Sequence, residues 1–308
     1  MAGLMIREDI SAENKRVISD KRLLRLRRSN LTETAQRQGF RVSFACDQNT
    51  REKSFKLTYQ RYREVGLIEG PPGGMWYTIF HALPSSTIAV ALLEDKYKNP
   101  ISTSTLIVDD EVLGLPSDSL YKDKIDNLRD SGRKVAEVSC LAALPYDKGQ
   151  NAFLHVFRMI GLYSIYKGID DLIISIHPKH RSFYELMLLF EPLEEKVRYY
   201  PYLKDAPAVL EHLDMRTAPQ KYIDTYSKYP KELDLSLFML GPDRIYLRDP
   251  NLFFKDLECL EPMTFNEFYY FFVEQKPIWQ ELDRDKKVYF EELYPGLTEF
   301  ISRKMTNS

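Results

Sequence analysis

The chain has 308 residues, of which 44% are hydrophobic and 29% charged, and its net charge at pH 7 is -2. That balance suits a globular protein with a substantial core and argues against a nucleic-acid binder, which usually carries a basic excess. No apolar run is long enough to span a bilayer, the N-terminus lacks an apolar leader core, and the three cysteines are scattered without ligand spacing, so a reduced, cytoplasmic protein with no metal site is expected.

The first informative stretch is “KRLLRLRR” (Lys21–Arg28), which interleaves leucines with basic residues. It opens an amphipathic helix whose basic side is either a solvated face or a docking patch for an acidic partner. “FRVSFACD” (Phe40–Asp47) alternates and predicts a strand. “TREKSFKLTYQRYREVG” (Thr50–Gly66) places Phe55, Leu57, Tyr59, Tyr62 and Val65 at helical spacing and stops at Gly66, a C-cap residue. “STIAVALLED” (Ser86–Asp95) and “PISTSTLIVDD” (Pro100–Asp110) predict two strands joined as a hairpin. “PSDSLYKDKIDNLRDSG” (Pro116–Gly132) predicts a helix between Ser117 and Gly132, and “KVAEVSCLAAL” (Lys134–Leu144) the next strand.

“NAFLHVFRMIGLYSIYKG” (Asn151–Gly168) is apolar on nearly every face, which predicts a deeply packed helix. “DLIISIHP” (Asp171–Pro178) reads as a buried strand. Strand, helix, strand in this order predicts a βαβ unit with parallel strands. “HRSFYELMLLFEPL” (His180–Leu193) predicts a further helix, followed by two late strands. Beyond about Met215 the texture turns aromatic, which suggests a division into residues 1–216 and an extension of residues 217–308. There “TFNEFYYFFVEQ” (Thr264–Gln275) has Thr264 and Glu267 at capping-box spacing, and “IWQELDRDKKVYFEELYPG” (Ile278–Gly296) predicts one amphipathic helix. “EFYYFFVEQKPIW” is too apolar to lie exposed and should pack on the main domain.

The residue that asks for an explanation is Glu137, a carboxylate among small and apolar neighbours. On a strand, Val135, Glu137, Ser139 and Leu141 share one face, with Cys140 on the other. A carboxylate in an apolar groove becomes a stronger base, but Glu137 can equally pair with Arg133 or Lys134 as a structural ion pair. Gly149, Gln150 and Asn151 precede a helix whose free N–H groups suit a phosphate or oxyanion, or else form an ordinary polar loop. Arg61 and Arg63 can clamp a carboxylate or face solvent. Trp76, Tyr77 and Phe80 can line a pocket or pack in the core. His177, Lys179, His180 and Arg181 cluster at a turn without a third metal ligand, so they favour a phosphate or carrier-protein contact over a metal.

The stretches “FKLTYQRYREVG”, “LPSDSLYKDKIDNLRDSGRKVAEVSCLA” and “HPKHRSFYELMLLFEPL”, in that order, resemble the N-acyl amino acid synthases. These are relatives of the acyl-homoserine lactone synthases within the Gcn5-related N-acyltransferase fold. The resemblance runs from about Phe55 to Leu213. It implies an α/β (α+β) architecture, a central mixed sheet flanked by helices, here with a mainly helical C-terminal extension. It implies transfer of a medium- or long-chain acyl group to the amine of an amino acid. No cofactor is held permanently; the co-substrate is acyl-phosphopantetheine on an acyl carrier protein, or acyl-CoA. By the same resemblance Glu137 is the general base, directly or through a water, with Ser139 beside it as an orienting group. Tyr184 is the acid to the leaving thiolate, and backbone at Leu141, Ala142 and Ala143 faces the pantetheine arm. Lys148, Gly149, Gln150 and Asn151 complete the donor site; Arg61 and Arg63 are the acceptor-site candidates by their capacity for bidentate pairing with a carboxylate.

Three departures refine this. The fold's Arg/Gln-x-x-Gly-x-Gly/Ala loop reads “YDKGQNA” here, with only Gly149 and Ala152 in pattern, which fits a donor delivered on a carrier protein. Cys140 stands where the lactone synthases have arginine, and Leu189 where a glycine is expected. No cysteine has a histidine close in sequence, which favours direct attack by the amine over an acyl-enzyme. An acetyl-CoA-dependent small-amine acetyltransferase and a non-catalytic acyl- or protein-binding module remain alternatives. The extension has three open roles: covering an acyl tunnel, dimerising, or docking peripherally at a membrane.

Overall fold

The computed structural model describes residues 12–145, 151–249, 254 and 262–306. In chain order come α1 (Ala12–Arg27), β1 (Phe40–Phe44), α2 (Gln48–Glu64), β2 (Thr87–Leu93), β3 (Pro100–Val108), α3 (Asp118–Asp130), β4 (Val135–Ala143), α4 (Ala152–Tyr166), β5 (Asp171–Ile176), β6 (Glu191–Tyr200) and β7 (Ala206–Asp214). The described strands form one mixed sheet in the order β1-β2-β3-β4-β5-β7-β6. Neighbours are antiparallel except β4 and β5, the parallel pair joined by α4. The hairpin, the βαβ unit and the two late strands are where the sequence placed them.

Strand alternation sorts the core into two layers. Ala89, Ala91, Ala136, Val138, Leu172 and Ile174 point towards α4, where they meet Val156, Phe157 and Ile160. Ile88, Val90 and Leu92 point the other way, towards Phe55 on α2. Ile107, Val135 and Ile173 continue that second face towards Tyr121 and Ile125 on α3. Each valine, leucine or isoleucine among these contributes about 1.5–3 kcal/mol when fully buried.

The extension covers both layers. Helices Ala218–Tyr226 and Leu235–Leu240 add Tyr222, Tyr226, Leu235 and Phe238 to the α4 side. Phe268, Phe271, Phe272, Trp279 and Phe290 pack with Phe55 and Tyr77 on the α2 side. The aromatic run is therefore buried, as its composition demands. Polar ties hold it: the Tyr77 hydroxyl donates to the Phe271 carbonyl at 2.5 Å and the Tyr294 hydroxyl to that of Ala82 at 2.6 Å. Arg51 of α2 and Glu267 form a buried ion pair. The capping box forms as expected, with the Glu267 N–H donating to Thr264 Oγ1 and the Thr264 N–H to Glu267 Oε2.

Two helices differ from expectation. The Ile278–Gly296 segment divides into Ile278–Glu281 and Arg284–Leu293, because Asp283 caps the second helix by accepting from the Lys286 N–H at 2.9 Å. The His180–Leu193 segment makes a short α-turn, Arg181–Phe183, and then a π-turn, Tyr184–Leu188. Leu189 ends it in the left-handed region (φ 59°), the conformation a glycine would take without strain. The Phe190 N–H then donates to the Tyr184 carbonyl at 3.2 Å, and β6 begins at Glu191.

Glu267 both closes the capping box and neutralises Arg51, so Glu267→Ala takes the carboxylate away from a buried guanidinium. A loss of roughly 3–5 kcal/mol in unfolding free energy is expected by urea denaturation. A loss under about 1 kcal/mol, the scale of an exposed pair, would show that this tie does not anchor the extension.

Candidate active site

The site begins where two strands part. β4 and β5 pair at Val135↔Asp171, Ala136↔Leu172 and Glu137↔Ile173, and then no further. Just beyond, β4 carries a bulge: Ser139 faces Thr105 and Ala142 faces Thr103, leaving Cys140 and Leu141 opposite Ser104 alone. Cys140 takes φ 51°, a costly conformation for a side chain of this kind, of order 1–3 kcal/mol. A bulge bends its strand, and here the edge of β4 from Val138 onward has no strand partner on its β5 side among the described residues.

The gap opens into a cavity of about 810 Å³. Its lining comes from both layers of the core. Asn151, Phe153, Leu154, Phe183 and Tyr184 line the part on the α4 side, and Tyr62, Trp76, Glu137, Tyr200 and Tyr202 the part on the α2 and α3 side. The cavity thus passes from one face of the sheet to the other through the gap, with Glu137 at the point of parting.

Glu137 is 3% exposed. Its Oε2 accepts the Ser117 N–H at 2.8 Å, one of the unpaired donors at the start of α3. The Ser117 hydroxyl lies 3.2 Å from that of Tyr200. No cation pairs with Glu137 among the described residues. Arg133 is bound to Asp171 and Asp214, and Lys134 donates to the Lys167 carbonyl. The structural ion pair that the sequence allowed is absent there. Burial raises the Glu137 pKa to about 8 against the Ser117 hydrogen bonds, which lower it.

The other expected residues divide. Ser139, Leu141, Ala142, Ala143, Asn151 and Tyr184 line the cavity. Ser139 does not orient Glu137: its hydroxyl points at the Cys140 sulfur, 3.9 Å away, and Ser117 takes that place. Cys140 lines the same cavity as Glu137 rather than the opposite face, because the bulge breaks the alternation. Burial pushes its thiol up to about 12, so it stays protonated. Burial likewise raises the Tyr184 phenol, keeping it a proton donor at neutral pH. Arg61 reaches the cavity rim, bound to Glu64, whereas Arg63 is exposed and away from the lining. The Asn151 N–H is already taken by Gln38 Oε1 at 3.0 Å, and its buried side-chain nitrogen has no partner among the described residues. Lys148, Gly149 and Gln150 lie outside the described residues. Of the candidate pocket aromatics, only Trp76 lines the cavity; Tyr77 and Phe80 pack in the core. His177, Lys179 and His180 sit at the α4-side rim with Ser29, and no group of three or more potential metal ligands forms among the described residues. Ser117, Tyr62, Tyr200 and Tyr202 escaped sequence reasoning; only the helix start at Ser117 left a signal.

A family model described as N-acyl amino acid synthase FeeM matches residues 53–214, just over half of the chain. The chain belongs to the N-acyl amino acid synthase FeeM family. Among solved structures, FeeM from uncultured soil microbes is similar with a TM-score of 0.52 at 24% identity, covering 59% of this chain and 93% of that one. The AHL synthase LasI has a TM-score of 0.41 at 14% identity, covering 58% and 92%. No curated protein matches. Membership of the FeeM family makes this chain an acyltransferase, with acyl transfer to an amine as its reaction. The family match takes in Arg61, Glu137, Ser139 and Tyr184, and leaves out α1 and everything beyond residue 214. No helix among the described residues is long and apolar enough to cross a membrane.

The raised carboxyl has a thermodynamic signature. Its ordinary value is 4.5 and its folded value about 8, so between these the folded chain holds a proton that the unfolded chain has released. That contribution to stability is complete below the lower value and is lost as pH rises through the upper one. Glu137→Gln should therefore lose less stability than wild type between about pH 5 and pH 9 in denaturant titrations. Parallel losses would mean that the carboxyl is not perturbed.

Proposed function

We propose that the protein transfers a medium- or long-chain acyl group from a phosphopantetheine thioester, carried on an acyl carrier protein, to the amine of an amino acid, with Glu137 as general base. The observation that carries the reading is a buried carboxylate with no cationic partner among the described residues, standing where β4 and β5 part and a large cavity opens.

The pantetheine arm enters the gap from the α4 side and hydrogen-bonds the unpaired edge of β4 at Leu141–Ala143, as a strand would. Phe153, Leu154, Phe183, Ile174 and Ile176 give the acyl chain an apolar wall, and the volume lies in the range that encloses a drug-sized ligand. The acceptor approaches from the side of Tyr62 and Trp76. Glu137 takes a proton from its amine, directly or through a water, and the nitrogen lone pair attacks the thioester carbonyl carbon. The tetrahedral intermediate collapses to the amide as the C–S bond breaks, and the Tyr184 hydroxyl, which has no hydrogen-bond partner among the described residues, gives the thiolate its proton.

A carrier protein is favoured by charge. Lys179 lines the α4-side rim with Ser29, next in sequence to exposed Arg28, and α1 also exposes Lys21 and Arg27, a basic approach for an acidic partner. Arg25 fastens α1 to that rim by donating to the Ser182 carbonyl at 2.7 Å. Residues 1–216 form the transferase unit in this reading, with residues 217–308 closing its faces. Three cysteines scattered through the sequence without ligand spacing suit a cytoplasmic setting.

Purified protein should form amide from acyl carrier protein thioesters across an amino-acid panel read by mass spectrometry, and less from acetyl-CoA. Glu137→Gln should fold and lose about 10²–10⁴ in kcat. The wild-type kcat/KM should rise with pH towards about 8, and the variant should lack that limb. Turnover near wild type in the variant would end the base assignment. Donor binding without product across the panel would favour a non-catalytic binding module.

A further inference from the structure

The extension lies beyond the family match, yet one of its residues, itself outside the lining, packs against the aromatics behind the acceptor half of the cavity. Lys276 follows the π-turn Tyr270–Gln275 that buries Phe271 and Phe272. Its Nζ donates to the Tyr77 carbonyl at 3.3 Å, and stands 4.2 Å from the centroid of the Tyr77 ring and 5.8 Å from that of Trp76. Tyr77 is bracketed by Trp76 and Thr78, both of which line the cavity. Cys140, also in the lining, is near enough to feel the charge of both Lys276 and Glu137.

The cations of this half differ in one respect. Arg61 is neutralised by Glu64, and Lys204 by Glu69. Lys276 has no carboxylate within ion-pair reach among the described residues, and burial lowers its pKa. Two aromatic faces and one carbonyl hold the ammonium in place, but none of them compensates its charge, and hydrogen-bond donors remain to spare. A partly desolvated cation in that state favours an arriving anion. An α-amino acid carries its amine and its carboxylate on one carbon, so holding the carboxylate fixes the amine.

We propose that Lys276, supplied by the C-terminal extension, binds the carboxylate of the amino-acid acceptor beside Trp76 and so presents its amine to Glu137. The inference rests on the reading of this cavity as the site of amino-acid acylation, and it assigns acceptor selection to a part of the chain that the family match does not include.

The test compares each accepted amino acid with the amine made by removing its carboxyl group, in wild type, Lys276→Met and Lys276→Arg. Wild type should prefer the amino acid in kcat/KM. Lys276→Met keeps the aliphatic length and should lower that preference by about 10- to 100-fold, mostly through KM, as loss of one hydrogen bond to a charged group predicts. Lys276→Arg should restore part of it, and the bare amine should be acylated about equally by all three. An unchanged preference in Lys276→Met, with wild type active on amino acids, would overturn the Lys276 assignment alone. Wild type acylating only amines without a carboxylate would overturn both this inference and the amino-acid acceptor, while leaving acyl transfer intact. No turnover with any amine would remove the acylation reading and this inference together.

Discussion

The parting of β4 from β5 governs everything at the candidate site. Three residue pairs hold these parallel strands together, and the last of them contains Glu137. The bulge at Cys140 and Leu141 follows almost at once, so the strand that carries the carboxylate is rigid up to it and bent away just past it. One geometric event thus buries an acid, exposes an unpaired backbone edge and opens a passage between the two faces of the sheet. Without the gap, Glu137 would be an unpaired buried acid with nothing to act on.

The helix behind Glu137 matters as much as the strand. The start of α3 places the Ser117 N–H against the carboxylate, and Tyr200 from β6 reaches the Ser117 hydroxyl. Hydrogen bonding from Ser117 at a helix start fixes the position of the carboxylate and does not offset its burial, which leaves it able to exchange a proton near neutral pH. A guanidinium in the same place would have locked it ionised. Arg133, the nearest candidate in sequence, is held instead by Asp171 and Asp214 at the far end of the strand pair.

Most of the architecture was legible because it rests on periodicity. Alternation along β2 to β5, the all-round apolar surface of α4 and the Thr264–Glu267 capping box are local patterns, and each produced its element. What escaped depends on contacts distant in sequence or on a single unusual backbone angle. Alternation alone put Cys140 on the wrong face, because nothing in “VSCLA” announces a bulge. Arg61 and Arg63 look equivalent on a helix, and only the docking of α2 against the sheet turns Arg61 towards the cavity and Arg63 to solvent. The break before Asp283 was a capping signal present in the sequence but hidden by the amphipathic pattern across it. Ser117, Tyr62, Tyr200 and Tyr202 converge on Glu137 only through tertiary packing, which no window of sequence reports.

The aromatic layer over α2 joins residues nearly two hundred positions or more apart: Tyr77 to Phe271, Ala82 to Tyr294, Arg51 to Glu267. Such separations make for slow, high-contact-order assembly. During synthesis the outer side of β2 leaves the ribosome long before its cover, so a nascent chain passes through a stage with Phe55, Tyr77 and Val90 uncovered and prone to association with other chains. Emergence of the stretch from Met263 to Ile301 is therefore the step that ends this vulnerability, and chaperone demand should be greatest just before it.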